Sequence, residues 1–100
     1  MLDIRLGDNG EIVITGRLDA SQAERVESFL EAIEEPKIVD FSDLEYISSL
    51  GLGVLLKAQK RLTGSAGAGL TLVNLNKHIL DVFRYSGFDR IFEIRPTDAE

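Results

Sequence analysis

Two hydroxyls and two glycines stand together, Ser48, Ser49, Gly51 and Gly53, in the stretch YISSLGLGVLL from Tyr46 to Leu56, where the apolar pattern changes from strand-like to helix-like. A serine at such a junction sits among the unpaired N–H groups of a helix start, so either hydroxyl can cap the helix. Capping accounts for only one of them. It does not account for the glycines, each of which costs a helix interior about 1 kcal/mol relative to alanine. Nor is there a reinforced capping box, since three residues on Ser48 finds Gly51 and Ser49 finds Leu52, where Glu or Gln is required. Side-chain-free residues beside an exposed hydroxyl let another protein's backbone, or a kinase active site, come close. On these grounds the stretch reads as a regulated contact surface.

Other chemistry finds less support. The single histidine, His78, stands beside Lys77 and off the apolar face of its helix, with no nucleophile to serve and no group to orient it, so it reads as a solvated surface residue. SSLGLG lacks the G-x-S-x-G elbow of an acyl-transfer serine. The acids Asp40, Asp43 and Glu45 precede it without the spacing of a calcium loop and read as a solvated acidic loop. TGSAGAG, Thr63 to Gly69, lacks the Walker lysine and follows a helix rather than a strand, which makes it a flexible connector and not a phosphate loop.

The elements that position the serines follow from periodicity. Leu2, Ile4 and Leu6 alternate with Asp3 and Arg5, and Ile12 and Ile14 with Val13 and Thr15, across the turn signal Asn9-Gly10. This predicts a hairpin of strands over about 2–6 and 11–17. After GRLDAS the period becomes helical, with Ala23, Val26, Leu30 and Ile33 on one face and Glu24, Glu27 and Glu31 toward water, Asp19 or Ser21 as cap and Pro36 beyond the end. KIVDF reads as a strand buried on both faces, SDLEYISS as a lead-in to a second helix burying Leu52, Leu55, Leu56 and Leu62, and LTLVNL as a further strand. NKHILDVFRYSG gives a third helix with Ile79, Val82 and Phe83 inward and Gly87 as its stop, and IFEIRP a last short strand or extended edge. Strands alternating with helices after an opening hairpin make an α/β fold with a mixed sheet whose later strands run parallel.

Composition sets the class. One hundred residues with 44% hydrophobic content suit one domain, spanning 1–100. The net charge of −6 argues against nucleic acid and anionic membrane surfaces, and for a basic or neutral protein partner. No cysteine is present, so there is no disulfide framework, thiolate metal site or cysteine nucleophile, and the expected location is the cytoplasm. No leader-like segment opens the chain and no apolar run approaches the roughly 18 residues of a membrane span, so no membrane insertion is expected.

VDFSDLEYISSLGLGVLL resembles the signature of the STAS domain family, in particular the bacterial anti-sigma factor antagonists, where a strand ending near an aspartate leads to a serine at a helix N-terminus. GRLDASQAERVESFL is similar to the family's second strand and first helix, and LTLVNLNKHILDVFRYSGFDRIFEI to its closing half, so the resemblance covers essentially the whole chain. It implies a STAS-like fold and carries the family's switch serine onto Ser49, with Ser48 as a minor alternative. Two positions depart from the pattern: Ser48 stands where the family often has aspartate, and Leu50 where it has a small residue. The closing PTDAE also leaves little room for the C-terminal helix that many members carry.

The resemblance further implies a partner-switching cycle with no enzymatic activity and no cofactor of the chain's own. Its partners would be an anti-sigma factor that is also a serine kinase, released when that kinase phosphorylates Ser49, and a metal-dependent serine phosphatase that resets the cycle. Asp19 is placed by the resemblance near the switch. Together with Asp43, Tyr46, Ser48, Leu50, Gly51 and Gly53 it makes the expected partner-binding set, on a monomer. Two rival readings are an accessory subunit docking on a lipid-transport ABC ATPase without phosphorylation, and a small nucleotide- or anion-binding module using the helix start after Ser49.

Overall fold

The computed structural model describes residues 1–95. The expectation about a C-terminal helix falls on 96–100 and lies outside the described residues. Strands β1 (Leu2–Leu6) and β2 (Ile12–Leu18) pair antiparallel, with Ile4 opposite Ile14, as the alternation requires. Their loop is longer than a two-residue turn: the Gly7 N–H donates to the Glu11 carbonyl at 2.7 Å, and Gly10, not Asn9, takes the left-handed conformation at φ 81°.

Beyond the hairpin come helix α1 (Ala23–Glu31), strands β3 (Lys37–Asp40) and β4 (Leu44–Ile47), helix α2 (Ser49–Ala66), strand β5 (Leu70–Val73), helix α3 (Lys77–Ser86) and strand β6 (Glu93–Ile94). The sheet runs β1-β2-β3-β5-β6, with every pairing after the hairpin parallel. β4 is the departure. It pairs with the second half of β2, beside Gly16 to Leu18, while β3 pairs with the first half at Ile12 and Val13. Residues 37–47 thus form one interrupted strand line, and the segment read as a lead-in to α2 is itself a strand.

The interruption is matched by a bulge in β2 between Gly16 and Arg17. Gly16 has φ 92°, and a side chain there would run into the Met1 carbonyl, which accepts from the Arg17 N–H at 2.9 Å. Only glycine fits this crossing. The Gly16 N–H in turn donates to the Asp43 carbonyl at 2.9 Å, which fixes where β4 begins.

One face of the sheet carries Leu2, Ile4, Ile12, Ile14, Val39, Leu70 and Leu72, which join Val26, Leu30, Leu55, Leu62, Ile79 and Phe83 of the helices in one buried cluster. Burying each such side chain is worth roughly 1.5–3 kcal/mol. Phe83 closes the core beneath α3, 6.1 Å from Phe41 and edge-on to Phe92 at 5.8 Å between ring centres. The opposite face is open. β3 is therefore not buried on both sides, and Ile38 remains 39% exposed.

α2 continues through Thr63 to Ala66 and stops at Gly67, so the connector is shorter than TGSAGAG suggested. Its buried side holds Leu52, Leu55 and Leu62 as expected, with Leu56 half-buried. It also holds Gln59, 6% exposed, whose Oε1 accepts from the Leu70 N–H at 2.7 Å and whose Nε2 donates to the Ile91 carbonyl at 3.0 Å. Both ends of this amide are satisfied, as burial of a polar group demands. Among the described residues no helix is long and apolar enough to cross a membrane.

Candidate functional site

The two serines separate cleanly into two roles. Ser48 is the N-cap of α2: its backbone is extended, at φ −88° and ψ 169°, and its Oγ accepts from the Gly51 N–H at 3.1 Å. Its own N–H donates to the Leu18 carbonyl at 2.9 Å, so the helix start is tied to the end of β2. The hydroxyl of Ser48 is engaged in a half-buried position. Ser49, the first helical residue, is exposed, and among the described residues its hydroxyl forms no hydrogen bond.

The two glycines separate as well. A Cβ on Gly51 would lie 2.7 Å from Leu18 Cγ and 3.1 Å from Ile47 Cγ1, so Gly51 exists to let α2 settle onto the ends of β2 and β4. This corrects its assignment to the partner-binding set: Gly51 is buried within the chain's own core. Gly53 is the reverse, exposed with nothing within 4 Å of the space a Cβ would fill. Leu50 beside it is 57% exposed, whereas Leu52 is 8% exposed and belongs to the core.

Asp19 reaches the same end of the sheet, next to the Leu18 whose carbonyl holds Ser48. Its Oδ1 accepts from the Ser21 hydroxyl at 2.6 Å and the Ser21 N–H at 3.1 Å, which holds its carboxyl below the ordinary range despite some desolvation. It caps the 3-10 turn Ala20–Gln22 rather than α1 itself, whose N-cap Gln22 makes no side-chain bond. Asp43 does not join this end. It precedes β4 and Ser48 follows it, so the two lie about 16 Å apart at strand rise.

The acids before the serines do not assemble into a cation site; no group of three or more metal-ligating side chains occurs among the described residues. Burial alone would raise the Asp40 carboxyl, but bonds from the Ser42 N–H at 2.9 Å and Asn74 Nδ2 at 3.1 Å outweigh it and leave the group below its usual value. Asp40 is thus part of a turn. His78 is exposed near the start of α3. Tyr46 is half-buried and carries the guanidinium of Arg17 over its ring, 4.5 Å from the centre. Sequence reasoning passed over Arg17, although its outward position beside Leu18 was visible in the alternation of β2.

A family model described as "Mlab, STAS domain" matches residues 4–96. The chain belongs to the STAS domain family. It is 36% identical over 85 residues to a candidate anti-sigma factor antagonist, BtrV, of Bordetella bronchiseptica, covering 81% of this chain and 72% of that one. It is 30% identical over 97 residues to the anti-sigma-B factor antagonist of Listeria monocytogenes, covering 93% and 84%. The unphosphorylated structure of the anti-sigma factor antagonist SpoIIAA superposes with a TM-score of 0.72 at 21% identity, over 95% of this chain and 88% of that one, which establishes the STAS fold. SpoIIAA has also been solved in its phosphorylated form, at a TM-score of 0.66 and 20% identity over 95% and 91% of the two chains. The expected α/β architecture, an N-terminal hairpin followed by parallel strands packed with helices, is the one observed.

Proposed function

We propose that this STAS chain is an anti-sigma factor antagonist working by partner switching, with Ser49 as its switch. Unphosphorylated, it binds an anti-sigma factor that is also a serine kinase and frees a sigma factor for transcription. Phosphorylation of Ser49 by that kinase ends the complex, and a serine phosphatase restores it. The chain itself catalyses nothing in this cycle; ATP and magnesium belong to the kinase. The similarity to relatives named as anti-sigma factor antagonists supports the class. The observation that carries the choice of residue is the contrast of hydroxyls: Ser49 is exposed and unengaged, while that of Ser48 holds the Gly51 N–H.

The electrostatics favour this direction of switching. A phosphate at Ser49 adds about −1.5 to −2 charges at a helix N-terminus, where the macrodipole welcomes them, so the fold survives. The interface carries the penalty. A loss of about 3 kcal/mol, modest for one charge buried in a contact, weakens binding roughly a hundredfold.

The test is an affinity pull-down from the native host with phosphosite mapping of the bait. The expected result is a kinase-type anti-sigma factor in the eluate and phosphate on Ser49, with the Ser49→Ala chain staying bound when ATP is added. Dissociation of that variant at the wild-type rate rejects Ser49 as the switch. A transporter ATPase in the eluate with Ser49 unmodified replaces this function by the accessory-subunit reading. Saturable nucleotide affinity without any partner replaces it by the ligand-module reading.

A further inference from the structure

Most arginines near the hairpin and α1 are engaged. Arg5 pairs with Asp3 at 3.1 Å, Arg25 donates to the Leu2 carbonyl at 2.8 Å and lies 3.7 Å from Asp3, and Arg61 donates to the Leu30 carbonyl at 2.8 Å. Arg17 is different. It is exposed, and among the described residues its guanidinium forms neither an ion pair nor a hydrogen bond, although it lines an open groove of about 660 Å³ together with Asp3, Asp43 and Glu45. What holds it is the Tyr46 ring, 4.5 Å away.

Stacking uses the flat face of a guanidinium and leaves its N–H edges free for a planar, two-toothed contact with a carboxylate. It also restricts the side chain before any partner arrives, so less rotamer freedom remains to be lost on binding. Arg17 faces Tyr46 in the β2–β4 register, one step before the Leu18–Ile47 pair and the Ser48 N–H bond to Leu18. Tyr46 and Ser49 are three residues apart, at most about 11 Å along the backbone. An exposed Arg over a half-buried Tyr is the composition of an interface anchor.

We propose that Arg17, held over Tyr46, is a selectivity residue of the docking face, and that the protein bound there presents an Asp or Glu carboxylate to it. This deepens the partner-switching reading and rests on it. It also supplies a reason for release: a phosphate on Ser49 carries the same sign as a partner carboxylate seated on Arg17, and like charges repel strongly in a contact that excludes water and screening ions. A partner with a basic surface at this point would be held by that phosphate instead.

The experiment places a benzophenone amino acid at Leu50 and, in a second variant, at Tyr46, and cross-links each in the native host. The protein captured at position 50 is then purified and titrated with Arg17→Glu, Arg17→Lys and wild-type chains. The expected results are capture of that same protein at position 46, through a segment containing Asp or Glu, and an affinity at least tenfold lower for Arg17→Glu, with Arg17→Lys between. Changing the cross-linked acidic residue to Lys restores binding to Arg17→Glu. Thermal melts verify that the variants fold, and Arg17→Gln, expected to lose several-fold, replaces Arg17→Glu should the latter melt early. Binding of Arg17→Glu or Arg17→Gln within twofold of wild type overturns the inference and leaves partner switching standing; Arg17 then merely covers Tyr46. Cross-linking at position 46 to a different protein, or to a basic segment, overturns it equally. Capture of no protein at either position removes both this inference and the docking face it rests on.

Discussion

Helices α2 and α3 begin alike and go on differently. Each has an extended cap residue whose side chain accepts from the N–H three positions on: Ser48 from Gly51 at 3.1 Å, and Asn76 from Ile79 at 2.9 Å. In α3 that third position is fully buried Ile79, and the cap's Nδ2 also donates to the Leu44 carbonyl at 3.1 Å. Stability explains the cap and the third position of that start, and the exposed Lys77 between them pairs with Asp81 at 3.0 Å. In α2 the third position is Gly51, the two residues before it are the exposed Ser49 and Leu50, and Gly53 opens onto empty space. The fold needs Ser48 and Gly51 and has no use for the others. Under the partner-switching proposal, what remains after the fold's needs are met is the part offered to another protein.

The comparison breaks first at Gly51. Helix propensity alone says that Gly51→Ala stabilises α2, but its Cβ would press on Leu18 Cγ and Ile47 Cγ1 at 2.7 and 3.1 Å. Overpacking of this kind costs about 1–3 kcal/mol, more than the propensity gain. Chemical denaturation should therefore show Gly51→Ala less stable than wild type. A more stable variant would mean that α2 shifts freely on the sheet, and that Gly51 belongs with the surplus residues after all.

The caps give a smaller and sharper contrast. Ser48→Ala and Asn76→Ala should each lower stability by about 1 kcal/mol, since each strands one N–H at a helix start. Only the first should slow phosphorylation of Ser49, because only it loosens the turn presenting that hydroxyl. Equal phosphorylation rates in the two variants, measured with the recovered kinase, would show that the cap of α2 supports the fold and nothing more.

Much of this was legible in the residues. Period-two alternation placed the hairpin to within a residue, and period-3.6 spacing placed Val26, Leu30, Ile79 and Phe83 in the core. β4 was missed because four residues, LEYI, that pair beside a bulge do not alternate cleanly: Leu44 and Ile47 are both buried. The end of α2 was misplaced because glycine and serine in TGSAGAG signal a loop, while Thr63 and Ser65 bond back to the Lys60 and Arg61 carbonyls and stay helical. Gly51 and Gly53 look identical as letters. Their difference lies in Leu18, more than thirty positions away, whose side chain fills the space beside one and not the other.

Gly53 yields the smallest effect on the fold and the clearest test of the surplus. Its backbone is helical and its Cβ would meet nothing within 4 Å, so Gly53→Ala should raise stability by about 0.4–1 kcal/mol, chiefly by narrowing the unfolded ensemble. Were the open space idle, binding would not change. If it admits the backbone of the partner, one methyl group in that contact costs about 1 kcal/mol, roughly fivefold in affinity. Stability and affinity then move in opposite directions in Gly53→Ala, while Gly51→Ala loses stability and keeps its docking surface. Thermal melts and titration calorimetry on the two variants measure both quantities. A Gly53→Ala chain that is more stable and binds as tightly as wild type would confine the docking face to Ser49, Leu50 and the Arg17–Tyr46 pair, with Gly53 outside it.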